Sequence, residues 1–203
     1  MKSRAIQFLT VALTLAATIS LTACFGGSTS EPSRYYTIGV ENITYPQSGD
    51  ATPEGKRLMV RKFSIDPAYQ RINIVYRESS YDFMFYDLDM WASRPELMLT
   101  KVATEYISRS KLFEISKTGT TAKPDFEILG HIDAMEEIDE DSDRYGHLSL
   151  SLTYRKTESD TPIFEHQYDE KIKLSGNEPK YVAEAISKLF AKYMEDFLQE
   201  VAK

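Results

Sequence analysis

The sequence predicts an α+β fold: a mixed, largely antiparallel sheet with two amphipathic helices packed on it. The order is four strands, a helix, four strands, a helix. Three observations predict it. Thirteen Tyr and ten Phe favour strands. Two long stretches instead repeat apolar residues at helical spacing. The strand candidates come in runs and do not alternate singly with helices, which argues against an α/β design.

The first strand is predicted at 35–40, where Tyr35, Tyr36, Thr37 and Ile38 are aromatic or β-branched. A loop follows over 42–55, marked by Pro46, Gly49, Pro53 and Gly55. Strands are then predicted at 57–63, 72–77 and 81–86. The last two are close enough to pair as a hairpin through Glu78, Ser79 and Ser80. In 81–86 the two-residue period puts Tyr81, Phe83 and Phe85 on one face and Asp82, Met84 and Tyr86 on the other.

The first helix starts at Ser93-Arg94-Pro95-Glu96, which fits a capping box with proline in the first turn. Leu99, Val102, Ala103, Tyr106 and Ile107 supply its buried stripe, and it should end near Ser110. A short strand is predicted at 112–115, then a polar turn at 118–123. Over 125–134, Phe126, Ile128, Gly130, Ile132 and Ala134 share one face. Leu148, Leu150, Leu152 and Tyr154 do the same over 147–155, and Phe164, His166 and Tyr168 over Pro162–Lys173. Short polar links between these three strands predict an antiparallel meander. The second helix should run from about Asn177 almost to Lys203. Its stripe is Val182, Ala185, Ile186, Leu189, Phe190, Tyr193, Phe197, Leu198 and Val201. An isolated helix of that length is marginal, so packing on the sheet must hold it.

The chain before the first strand reads as an address. Residues 1–23 have a charged start (Lys2, Arg4), an apolar run and small residues at a cleavage point. The run is too polar, and too soon followed by the processing site, to be read as a membrane span. Leu21-Thr22-Ala23-Cys24 resembles a bacterial lipobox, with cleavage between Ala23 and Cys24 and acylation of the cysteine. An ordinary secretory signal with a stray cysteine is the alternative. Cys24 is the sole cysteine, so no disulfide can form within the chain. One buried acyl chain holds a protein marginally, whereas two or three hold it stably. Phe25 follows; the absence of Asp there points to sorting to the outer membrane. Residues 24–34 form the acylated end and a Gly/Ser-rich linker, and 35–203 the body. Stretched out, Phe25 to Arg34 reaches about 35 Å, against about 40 Å for the diameter of a body of this length.

Removing Lys2 and Arg4 leaves 22 basic against 31 acidic side chains, a formal charge of −9 for the mature chain. Such a balance argues against nucleic acid as a partner and against binding anionic lipid by charge alone.

His131, His147 and His166 lie on three predicted strands without ligand-like spacing, so no metal or other cofactor is expected. Glu136 to Asp143 is the densest acidic run. Asp139, Asp141 and Asp143 copy the start of a calcium loop, but Arg144 replaces the required Gly and Leu150 the bidentate Glu. The run therefore reads as a solvated hairpin tip. There is no nucleophile elbow, P-loop or dinucleotide glycine pattern, and no enzymatic activity is expected. Tyr76, Tyr81, Phe83, Phe85, Tyr86 and Trp91 form the remaining candidate surface, for a partner or an apolar ligand. Core filling is the commoner fate of such residues.

Several short motifs, in order, carry a family likeness. Arg34-Tyr35-Tyr36-Thr37-Ile38 follows the lipobox; Ile74-Val75-Tyr76-Arg77, Tyr86 with Trp91-Ala92-Ser93 and Pro95, Leu112-Phe113, and a last helix from about Tyr181-Val182 come after it. In this the chain resembles the ABC-type transport auxiliary lipoproteins of the PqiC/YmbA kind, over nearly the whole mature sequence. The resemblance implies an outer-membrane lipoprotein facing the periplasm. It implies a non-catalytic role beside an ABC transporter and an MCE-domain protein that move hydrophobic molecules between membranes, with rings formed by some members. A different envelope assembly factor or activator is the alternative. The 42–55 loop and the acidic run look individual to this chain.

The anchor is separable from the body. Cys24→Ser is expected to leave a folded domain that fractionates as soluble protein and fails to complement a deletion. Full complementation would refute the tether's importance.

Overall fold

The computed structural model describes residues 31–47, 56–115 and 123–203. Residues 1–30, including Ala23 and Cys24, lie outside the described residues, as do most of the 42–55 loop and of the 118–123 turn. No helix among the described residues is long and apolar enough to cross a membrane.

The body, Ser33–Lys203, is α+β, with a mixed nine-stranded sheet and two helices. Its strands are β1 (Arg34–Tyr36), β2 (Arg57–Val60), β3 (Ser64–Ile65), β4 (Asn73–Arg77), β5 (Met84–Trp91), β6 (Glu114–Ile115), β7 (Phe126–Glu140), β8 (Asp143–Lys156) and β9 (Pro162–Lys173). Helix α1 is Pro95–Ser110 and α2 is Lys180–Val201.

Strand β7 is the spine. One edge pairs antiparallel with β8 along its whole length. The other edge takes three short strands in succession, all parallel: β2 at Phe126 to Ile128, β3 at His131 and Ile132, and β4 at Glu136 to Ile138. Strand β8 pairs with β9, which completes the predicted meander. Strand β4 pairs antiparallel with β5, as expected, and β5 pairs in parallel with β1. The long pairings are thus antiparallel and the short ones mostly parallel.

The predicted apolar stripes are the core. All five named residues of α1 and all nine of α2 are buried. Both helices cover the face of the sheet that carries Leu148, Leu150, Leu152 and Tyr154. The ring of Phe190 in α2 meets Phe63 and Tyr106, Tyr168 of β9 stacks on Tyr193 with centroids 4.5 Å apart, and Tyr193 donates to the Leu148 carbonyl at 2.9 Å.

Four local expectations are corrected. Strand β3 was not foreseen: the 57–63 run breaks after Val60, and Ser64 and Ile65 pair separately with β7. The predicted 81–86 strand lies further along, at Met84–Trp91, because Ser79 and Asp82 close the hairpin turn with side-chain hydrogen bonds. The capping box does not form. Arg94 is the N-cap, without a side-chain cap bond, and buried Glu96 turns to Arg94 at 2.6 Å and Lys62 at 3.7 Å. A salt bridge to two cations outcompetes a reach back to Ser93.

The fourth correction concerns β7, which continues to Glu140 and does not stop at Ala134. Ile132 pairs with Leu150 and Ala134 with Ser149, so β7 holds one extra residue, Asp133, opposite that step. A bulge of this kind shifts the alternation by one. Phe126, Ile128 and Ile132 face the helices before it, and Met135 does so after it. Ala134 therefore leaves the face it was expected to share. It joins a small second cluster with Tyr69 and Val75 on the reverse side.

Two glycines mark close approaches. The Phe63 ring lies where a Cβ on Gly130 would be, at 2.7 Å, and a Cβ on Gly146 would stand 2.5 Å from that of Ala185 in α2. Gly146→Ala is expected to lower stability by about 1–3 kcal/mol in urea unfolding, since neither backbone can yield freely. An unchanged midpoint would contradict this seat of α2 on β8.

Candidate functional site

Ordinary strand alternation puts Glu136 and Glu137 on opposite faces of the sheet, and the bulge in β7 decides which of them faces the helices. Neither is a solvated tip residue, contrary to the reading of the acidic run: Glu136 and Glu137 are both fully buried. Only Glu140, Asp141 and Ser142 form the exposed tip, where Asp141 takes a left-handed conformation at φ 56°. Three of the run's other acids are tied to cations: Asp139 to Arg144, Glu140 to Lys171 and Asp143 to Lys173.

On the reverse face Glu136 accepts from Tyr69 Oη at 2.6 Å and Arg77 Nη2 at 2.6 Å, and it contacts His147 Nδ1 at 3.1 Å. The other nitrogen of His147 meets Asp169 at 2.7 Å. On the helix face Glu137 pairs with Arg144 and accepts from Tyr86 Oη at 3.2 Å. Arg144 also donates to Tyr86 Oη and, at 2.5 Å, to the Asn177 carbonyl ahead of α2. The pattern recurs. Among the described residues the five buried carboxylates are Asp89, Glu96, Glu127, Glu136 and Glu137. Each has an arginine: Arg34, Arg94, Arg61 with Arg155, Arg77 and Arg144 respectively. Such pairs specify an arrangement more than they stabilise it, but breaking one leaves a bare buried charge.

The two neighbouring glutamates titrate in opposite directions. Burial alone would raise the Glu136 carboxyl, but hydrogen bonds from His147, Tyr69 and Arg77 outweigh it and hold the group below its usual range. Burial pushes Glu137 up to about 7, the nearby Asp139 adds to this, and Arg144 only partly offsets it. Burial would lower His147, yet its bonds to Glu136 and Asp169 raise it overall. Each of these carboxylates is enclosed, so neither can reach a substrate from where it stands.

The six aromatic candidates separate. Trp91 is core at 1% exposure. Tyr86 belongs to the Glu137 network, and Tyr76 packs on it with centroids 4.9 Å apart. Tyr81, Phe83 and Phe85 are exposed at 100%, 36% and 45%. The Arg71 guanidinium lies over Phe83 at 5.5 Å and Phe85 at 4.9 Å, and Tyr69 meets the Phe83 ring edge-on at 5.3 Å. Asp82 holds the tip by accepting from the Glu78 and Ser79 amides and the Ser79 hydroxyl at 2.8–3.1 Å. Arg71 and the buried acids were missed in the sequence; a cation just before a predicted strand and Glu–Glu just past an alternating one are weak signals.

The histidines are separately engaged: His131 with Ser64 at 2.8 Å, His147 as above, and His166 against Tyr168 at 4.4 Å. Among the described residues no three His, Cys, Asp or Glu side chains are grouped to hold a metal. A separate cleft of about 460 Å³ lies between the 37–40 segment and α1, lined by Ile38, Val40, Leu97, Met98, Lys101 and Glu105 among others.

No protein-family model and no curated protein matches the chain. Solved structures do. The fold is similar to that of XCC0632 from Xanthomonas campestris. That protein is described by the family model DUF330; the TM-score is 0.71 at 13% identity, over 82% of this chain and 93% of that one. An uncharacterised protein matches with a TM-score of 0.66 at 10% identity, over 84% and 99%. The hypothetical protein CT253 from Chlamydia trachomatis matches with 0.50 at 6% identity, over 73% and 96%. At these identities the likeness is one of fold.

The opposed titrations give a pH dependence. Folded Glu137 keeps its proton to about 7, whereas the unfolded chain loses it near 4.5. Its contribution is therefore complete below 4.5 and lost as pH rises through 7. His147 acts in the same sense from 6.5 upward, and Glu136 in the opposite sense as pH falls below 4.5. Stability in urea should peak on the acidic side and fall by about 3 kcal/mol through Glu137, with His147 adding to the fall, towards pH 8, and Glu137→Gln should flatten the part between 4.5 and 7. Stability that rises from pH 5 to 8 would contradict the assignment.

Proposed function

We propose that this chain is a non-catalytic, membrane-tethered auxiliary component of an ABC/MCE-type intermembrane lipid transport system. It sits on the periplasmic side of the outer membrane, held by acylated Cys24, and docks a periplasmic MCE assembly there. The observation that carries this reading is the lipobox set just ahead of the ordered motifs Arg34 to Ile38, Ile74 to Arg77 and Trp91 to Pro95. The placement of those motifs supports it, because they are neighbours in space. Arg34 and Tyr36 both bind Asp89, Tyr36 Oη at 2.7 Å, and the Ala92 amide donates to the Tyr36 carbonyl at 2.6 Å. The fold shared with XCC0632 is compatible with it. The commitment of every buried carboxylate to an arginine favours a structural over a catalytic use of those acids.

Affinity capture from crosslinked native envelopes is expected to recover an MCE-domain protein. Recovery of a cell-wall synthase or a secretion subunit in its place would favour the assembly-factor alternative. Turnover of an envelope substrate by the purified chain would refute the non-catalytic role.

A further inference from the structure

The exposed aromatics on the β4–β5 hairpin are only partly used by the fold: Phe83 meets Tyr69 edge-on, while Tyr81 touches nothing it could pack on. Phe83 and Phe85 are partly exposed beside each other under one guanidinium, and Tyr81 stands clear at the tip. The turn is braced by Asp82, so the three rings are presented by a built loop. A tyrosine with its polar hydroxyl, accompanied by apolar rings and an arginine, is a set that settles at the boundary between lipid headgroups and acyl chains. The acidic body rules out attraction to lipid by net charge, so any such contact must come from apolar partition.

The length of the tether says how far away a bilayer can lie. Strand β1 is parallel to β5, with Arg34 opposite Asp89 and Tyr36 opposite Trp91. Asp89 and Phe85 are four residues apart, no more than about 13 Å along a strand. Covalent geometry keeps Cys24 within about 35 Å of Arg34. A leaflet that holds Cys24 is therefore within reach of the hairpin.

We infer that the β4–β5 hairpin is a second membrane contact, in which Tyr81, Phe83 and Phe85, with Arg71, enter the interface of the phospholipid leaflet that holds the acyl chains of Cys24. This rests on the tethered reading above. The contact would fix the body's orientation on the membrane and not merely its distance from it.

The test uses the acylated full-length chain in phosphatidylcholine vesicles carrying brominated acyl chains. Trp91 is buried and supplies a constant background. A Tyr81→Trp reporter is expected to be quenched several-fold more than an Ile163→Trp reporter, placed at an exposed position on β9. Equal quenching at the two positions would overturn the inference. So would a photocrosslinker at position 81 that yields a polypeptide adduct in native envelopes, since the surface would then belong to a protein partner. A separate flotation assay starts from the Cys24→Ser chain. Adding Tyr81→Ser and Phe85→Ser should weaken its residual vesicle binding on the order of tenfold, and no change would count against the hairpin. Mass spectrometry of the mature chain reads acylation independently, so loss of the tether reading and loss of the hairpin contact give different results.

Discussion

One extra residue in one strand sets the arrangement of this molecule. Asp133 bulges out of β7 where Ile132 and Ala134 face consecutive residues of β8, and Gln167 steadies its carboxylate at 2.9 Å. Before the bulge the helix-facing positions are uniformly apolar or glycine. After it the alternation is displaced, Ala134 passes to the reverse face, and Glu136 and Glu137 are carried inward on opposite sides. A regular strand would have kept Ala134 beneath the helices. The bulge thus assigns Glu136 to the reverse face and Glu137 to the helix face, where Arg77 and Arg144 meet them, and those arginines in turn connect β4, β5 and the entry to α2 to the spine.

This organisation explains how so acidic a chain folds. Acids inside the sheet are each balanced by an arginine at the rim, and the surplus negative charge lies at the surface. Arg144 is the most connected of these cations, bound at once to Glu137, Asp139, Tyr86 and the Asn177 carbonyl. The helix layer rests mainly on apolar contacts, with Gly130 and Gly146 admitting Phe63 and α2 at close range. The buried acids of β7 lie towards both its ends, Glu127 at the start and Glu136 and Glu137 near the finish, with the dense core along α2. The exposed aromatic hairpin lies towards the Glu136 end, where β4 joins β7.

The helices were legible because their stripes repeat at helical spacing from Leu99 to Ile107 and from Val182 to Val201, and every residue assigned to them is buried. The meander was legible because Leu148, Leu150 and Leu152 alternate without interruption. The bulge was not legible. Nothing distinguishes Asp133 from an ordinary outward polar residue until its partner strand is known, and the error propagated to Ala134, Glu136 and Glu137. Short parallel strands such as β3 also escaped, since two residues carry no period. Of the aromatic group, the sequence could not separate Trp91, two strand positions past Asp89 and buried, from Tyr81, held wholly in solvent by a side-chain-bonded turn. The lipobox and the ordered motifs were plain in the sequence and remain the ground for the functional reading.

The account turns on adjacent glutamates held in opposite electrical environments by a displaced strand. Carbon-13 chemical shifts of the Glu136 and Glu137 carboxyls, followed through a pH titration of the folded body, read those environments residue by residue. Glu137 should titrate near 7 and Glu136 below the ordinary carboxylate range. If both titrate together with the exposed glutamates, the two are not buried on opposite faces, and the described course of β7 is wrong.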